Sequence, residues 1–370
     1  MQQVSLGFGE QVTFNLRALY NSYGYAPYKM SKFEEYDLYA RNKDFLISDN
    51  VITFTDTNGK LMALKPDVTL SIVKNSKDEP NTVQKVYYNE NVYRVSKGSH
   101  AFKEILQVGL ECLGAIDEYC LCEVILLAAE SLRRISPACV LDVSHVGLLS
   151  DLMDRIGIPQ EKKTALFKCI GEKNTHELLS ICREAGIADA DSEPLKQVVT
   201  VVGKPCDVLE KLAVHLSDMP SWNSFERIVR AVMNSPVGDV LHIDFSVVDD
   251  IHYYNVIVFK GFINNLPAGV LSGGQYDNLM QKMKRKSGAI GFAVYMDMLE
   301  RLNNTPDEYD VDTVLLYDEN ADLTAIRRKA EELKQNGTRV LVQRNKPDTV
   351  RYRQLMQLRG DEVVILENNA

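Results

Sequence analysis

In 107-QVGLE-111 an amide, a glycine and a carboxylate recur at every second position. On an extended strand Gln107, Gly109 and Glu111 share one face, while Val108 and Leu110 point to the other. A glycine between two polar side chains leaves a hollow flanked by an amide and a carboxylate. Such a floor suits a small ligand carrying amine or imidazole nitrogens. The same pattern also fits a solvent-facing polar stripe with a glycine bulge. Asp67 and Thr69, in 64-LKPDVTLSIVK-74, fall where a helix begins, and their oxygens can cap it or meet a ligand amine. Arg94 follows an aromatic run in 91-NVYRV-95, and Tyr253 and Tyr254 follow Asp249, Asp250 and His252. Tyrosines at a strand edge supply orienting hydroxyls or simply pack. In 270-VLSGGQYDNLM-280, Gly273 and Gly274 read as a turn into a helix. No lysine or serine/threonine follows at the spacing of a phosphate-binding P-loop.

Other chemistries lack their residues. No GxSxG, HExxH or GxxxxGK[ST] occurs, which excludes the matching hydrolase, zincin and P-loop readings. Cys120 and Cys122 form a CxC without histidines at ligand spacing, so no metal site is expected. Seven cysteines without a CxxC pair fit reduced thiols. A net charge of −9 argues against a general nucleic-acid binder. The segment MQQVSLGFGEQVTF has no secretory h-region, and the longest apolar run, 121-LCEVILLAA-129, is too short for a bilayer. A cytoplasmic protein with no membrane association is expected.

The periodicities place these residues on elements. A helix is predicted over 10–24, then an extended 25–30, and a hairpin of 51–56 with 60–65 through Asn58-Gly59. A proline-started helix is predicted from 66, long antiparallel strands over 84–95 and 103–114, and an amphipathic helix over 118–135. Successive helices broken by glycine, proline or asparagine fill about 145–235. Strand character returns at 239–250, 253–262 and 288–296. After the polar segment 304–310, residues 311–370 read as a βαβαβ unit with a parallel sheet, 349–360 being its second helix.

In this order, LKPDVTL, YYNENVYRV with KEILQVGLECLG, IHYYNVIVFKGF, LSGGQYDNLM and GAIGFAVYMDML resemble the catalytic domain of the histidyl-tRNA synthetases, over roughly residues 8–302. The resemblance implies an α+β fold, a class II aminoacyl-tRNA synthetase-like antiparallel sheet flanked by helices. It implies a domain over 1–303 with the helical insert at about 145–235, a linker at 304–310, and a small α/β domain over 311–370 similar to a reduced anticodon-binding domain. It places Asp67 (a shortened glutamate), Thr69, Arg94, Gln107, Glu111, Tyr253 and Tyr254 around an amino-acid site, with Gly273 and Gly274 beneath it.

The chain also departs from that family. Ser96 stands where the synthetase has an ATP-linked glutamate. Met298 stands seven residues after Gly291, where the family has an arginine, and Asp249 stands where its histidine-specific loop begins with one. Gln275 replaces a further arginine. Adenylation needs positive charge against phosphates and the reacting phosphorus, so its loss is expected and no catalytic residue is assigned. The pattern is similar to the non-catalytic paralogues that serve as regulatory subunits of ATP phosphoribosyltransferase. That implies a hetero-oligomer with a short-form catalytic subunit at the first step of histidine biosynthesis, built on a synthetase-like dimer. Free histidine is its candidate ligand for feedback, and no cofactor is implied. Arg327, Arg328, Lys329, Arg351 and Arg353 in the last domain are balanced by acidic residues, so tRNA binding is not expected. The alternatives are a divergent histidyl-tRNA synthetase that still charges tRNA, and another synthetase-like paralogue.

Overall fold

The structure is a computed structural model that describes residues 7–46, 50–79, 81–96, 100–248, 253–303, 309–335 and 337–369. The chain forms two compact units, Phe8–Leu302 and one built on the residues from Asn303 onward.

The larger unit begins with helix α1 (Phe8–Ser22), which buries Val12, Leu16, Leu19 and Tyr20 at helical spacing. Strands β1 (Ala26–Pro27) and β2 (Phe33–Glu35) follow, then helix α2 (Tyr36–Ala40). The Asn-Gly hairpin is present as β3 (Thr53–Thr55) and β4 (Leu61–Leu64), which with β2 make a three-stranded sheet. Helix α3 (Thr69–Asn75) leads to the long pair β5 (Val83–Val95) and β6 (Phe102–Gly114), antiparallel along their whole length. Helix α4 (Glu118–Ile135) starts on Asp117, whose carboxylate accepts from the Cys120 amide. Strand β7 (Cys139–His145) precedes the helical insert. Its helices are α5 (Val146–Arg155), α6 (Gln160–Gly171), α7 (Thr175–Glu184), α8 (Asp189–Thr200), α9 (Pro205–Leu216) and α10 (Pro220–Met233). Then come β8 (Leu241–Ile243), β9 (Ile257–Ile263), β10 (Leu271–Gln275), α11 (Asp277–Lys282), β11 (Gly288–Tyr295) and α12 (Met296–Leu299).

Eight strands form one sheet in the order β1-β5-β6-β11-β10-β9-β7-β8. The six central strands pair antiparallel, and β1 and β8 add parallel pairings at the two edges. One face carries Val108, Leu110 and Cys112 into a core with Leu16, Leu19, Tyr20, Val124, Ile125, Ala128 and Leu132 of α1 and α4. The other face carries Tyr88 and Leu113 into a second core with Leu70, Ile72, Tyr276 and Ala289. Burying apolar surface on both faces holds the polar residues of β6 in a fixed orientation.

The smaller unit contains β12 (Val311–Leu316), α13 (Leu323–Lys334), β13 (Val340–Gln343), β14 (Tyr352–Arg359) and β15 (Glu362–Asn368), with sheet order β13-β12-β14-β15. Here the sequence reading is corrected: the helix expected at 349–360 is strand β14, and the sheet is mixed because β15 runs antiparallel to β14. Tyr352, Leu355, Met356 and Leu358 are buried, a spacing compatible with either period, and pairing with β12 and β15 selects the strand. Two smaller expectations also change. Of the strand expected over 239–250, the described residues form only the three of β8, and the diglycine turn is the middle of strand β10.

Candidate functional site

Strand alternation puts Gln107, Gly109 and Glu111 on the face away from α1 and α4, all three buried. Glu111 is opposed across the sheet by Gly291 on β11, which is opposed in turn by Gly274 on β10. Glu111 and Gly291 make the floor, and Gly274 lies outside the lining. A Cβ at Gly291 would collide with Glu111 Oε2, so only glycine lets the carboxylate lie across β11. A Cβ at Gly274 would come within 2.6 Å of the Tyr254 ring, which therefore closes down over β10. The hollow at Gly109 is taken up by the Tyr88 hydroxyl, 2.5 Å from where a Cβ would sit.

The walls come from other elements. Asp67 caps α3 by accepting from the Leu70 amide at 2.9 Å. That turns Thr69 toward the floor, where its hydroxyl donates to Glu111 Oε1 at 2.7 Å. The Tyr276 hydroxyl donates to Glu111 Oε2 at 2.6 Å. Arg94 donates from Nε to the Pro66 carbonyl at 3.1 Å, which fixes its guanidinium beside Asp67. Tyr253 packs edge-on against Tyr254 and near Tyr276, at ring separations of 4.8 and 5.8 Å. Together these residues enclose a cavity of about 340 Å³.

Burial dominates its electrostatics. It pushes the Glu111 carboxyl up to about 8, against the lowering effect of the Tyr276 and Thr69 hydroxyls, and nearby Asp67 adds to the rise. Burial also raises Asp67, opposed by the Leu70 amide and Arg94. The phenols of Tyr88, Tyr253 and Tyr276 rise well above their ordinary value by burial and by the neighbouring carboxylates, so they serve as donors. The cavity thus sets two buried acids among hydroxyl donors, with one guanidinium beside them, a combination suited to a cationic nitrogen.

Of the sequence-derived residues, Asp67, Thr69, Arg94, Gln107, Glu111, Tyr253 and Tyr254 line this one cavity. Gly273 and Gly274 do not line it and act from β10, whereas Ser272 does line it. Sequence reasoning missed Tyr88, Tyr276, Tyr295 and the segment Asp44–Leu46, which also line the cavity. Only Tyr88 carried a local signal, as the cross-strand partner of Gly109. Met298 packs against the main core and is not among the lining residues. Asp249, Asp250 and His252 lie outside the described residues. Among the described residues no group of three histidine, cysteine, aspartate or glutamate side chains is placed to hold a metal. No described helix is long and apolar enough to cross a membrane.

A predominantly antiparallel sheet, backed by helices and bearing an acid-floored cavity on its other face, has the class II aminoacyl-tRNA synthetase-like architecture. The histidyl-tRNA synthetase family model matches residues 8–299, and the chain belongs to that family. A curated relative, the ATP phosphoribosyltransferase regulatory subunit of Oceanobacillus iheyensis, is 22% identical over 363 residues, covering 94% of this chain and 86% of its own. A solved ATP phosphoribosyltransferase regulatory subunit/histidyl-tRNA synthetase from Bacillus halodurans shares the fold with a TM-score of 0.79 at 22% identity, over 96% of both chains. A chain of the ATP phosphoribosyltransferase complex from Thermotoga maritima superposes with a TM-score of 0.62 at 17% identity, over 78% of this chain and 97% of that one.

Proposed function

We propose that this chain is a non-catalytic regulatory subunit of ATP phosphoribosyltransferase. It works with a short-form catalytic subunit in the first step of histidine biosynthesis, and its cavity takes free histidine as the feedback signal. The observation that carries this reading is the charge inventory of the cavity. Among its described lining residues Arg94 is the only lysine or arginine, against Asp44, Asp67 and Glu111. Such a lining favours an α-amino group and an imidazole, with Arg94 left for the ligand carboxylate. It opposes a triphosphate, whose transfer chemistry depends on converging cations. Met298, packed half-buried against the core, and Ser96 support the same loss. The regulatory subunits among the relatives support the partnership, and the chain acts in the cytoplasm as a synthetase-like dimer within the hetero-oligomer. Feedback requires two states that differ in histidine affinity, whose free-energy difference is the coupling between the subunits.

The rival reading, an active synthetase, is separated by histidine-dependent ATP–pyrophosphate exchange. The purified chain is expected to show none above a no-enzyme control. Robust exchange that requires histidine would assign it to aminoacyl transfer instead.

A further inference from the structure

The cavity has a rim that the regulatory reading does not use. Asp44, Phe45 and Leu46 line it, and the 3-10 turn Lys43–Phe45 that carries two of them is held from outside. Lys282, the last residue of α11, places its ammonium 2.6 Å from Asp44 Oδ2 and 5.3 Å from the centre of the Phe45 ring. Phe45 in turn meets the Tyr253 ring edge-on at 6.1 Å. At the other end of the same helix is Tyr276, whose hydroxyl holds Glu111. Six residues of helix, about 9 Å, therefore join the acid on the cavity floor to the lysine on its rim. That N-terminal end is fixed to the sheet, because Asp277 accepts from the Ala289 amide at 3.0 Å and from the Gln275 side chain at 2.7 Å.

We propose that Lys282 is a latch, a positioning residue that holds Lys43–Leu46 as a lid over the cavity. The proposal rests on reading the cavity as a ligand pocket. An ion pair with side chains 36% and 76% exposed is weak, and the part-exposed ammonium over the buried Phe45 ring adds a modest cation–π contribution. A latch of that strength releases its ligand readily, as a sensor of a varying metabolite must. Because α11 is anchored to the sheet through Asp277, it gives Lys282 a fixed base from which to hold the lid.

The test uses the full chain as wild type, Lys282→Met, Lys282→Arg and Asp44→Asn. Amide hydrogen exchange is followed at Phe45 and Leu46, whose amides donate to Asn42 and Lys43 carbonyls at 3.0 Å. Release of L-histidine is followed by stopped flow. Lys282→Met and Asp44→Asn are expected to raise exchange at these amides severalfold. Lys282→Met should also speed histidine release by about 3- to 10-fold, and Lys282→Arg should restore both. Wild-type exchange in Lys282→Met and Asp44→Asn would overturn the latch. Faster exchange in a protein whose wild type binds no histidine would uphold the latch and sink the pocket reading, so the two fail separately.

Discussion

At the residue scale the cavity turns on Glu111. Its two oxygens accept from Thr69 and Tyr276, yet burial leaves its carboxyl at about 8, so at neutral pH the ligand-free protein carries it mostly protonated. A cationic nitrogen prefers the carboxylate, so binding at pH 7 should release close to one proton. Calorimetry in two buffers of different ionisation heat checks this, and identical apparent enthalpies would refute it. Replacing a charge-assisted hydrogen bond costs about 1.5–3 kcal/mol, so Glu111→Gln should weaken histidine binding by about 10- to 100-fold. Unchanged affinity would remove Glu111 from the pocket. Stability should follow the same group. A carboxyl with a folded value of about 8 and an ordinary value of 4.5 holds its proton more tightly when folded. Its stabilising contribution is complete below about pH 4.5 and is lost as pH rises through about 8. Melting temperatures of wild type should therefore fall relative to those of Glu111→Gln across that window. A constant difference would mean that Glu111 is not perturbed.

At the element scale the floor depends on β11 and β10 passing close to side chains of their neighbours. Gly291→Ala places a methyl on the Glu111 carboxylate and should destabilise the protein by about 1–3 kcal/mol. Chemical denaturation measures it, and a wild-type midpoint would show that β11 can move aside. Much of this layer was legible in the sequence, because strands alternate strictly. Once 103–114 was a strand, Gln107, Gly109 and Glu111 had to share a face. Asp67 and Thr69 were legible as the start of α3, and the Asn58-Gly59 hairpin as a pair of strands. Tyr276 was not, because it reaches Glu111 across 165 positions of sequence from the end of another strand. Neither was the strand nature of Gly273 and Gly274. Two adjacent glycines signal a turn locally, and only the pairing of β10 with both β9 and β11 overrides it. Strand β14 failed for the same reason, since its partners β12 and β15 decide its period.

At the scale of the whole molecule, two compact units share one chain. Each has its own buried clusters, so scanning calorimetry should resolve more than one unfolding transition. A single transition whose calorimetric and van't Hoff enthalpies agree would instead mean that they melt together. The larger unit keeps a synthetase-like sheet and an acid-floored pocket, and the resemblance sets Met298 and Asp249 where the synthetases are expected to carry arginines for adenylation. On the function proposed above, what is left is an amino-acid receptor whose use lies in another protein's activity. The most direct measurement is therefore phosphoribosyl transfer to ATP by a short-form catalytic subunit mixed with this chain, with and without histidine. Adding the chain should raise the rate, and histidine should lower it again. Transfer that proceeds unchanged when the chain is added, at any histidine concentration, would contradict a regulatory subunit.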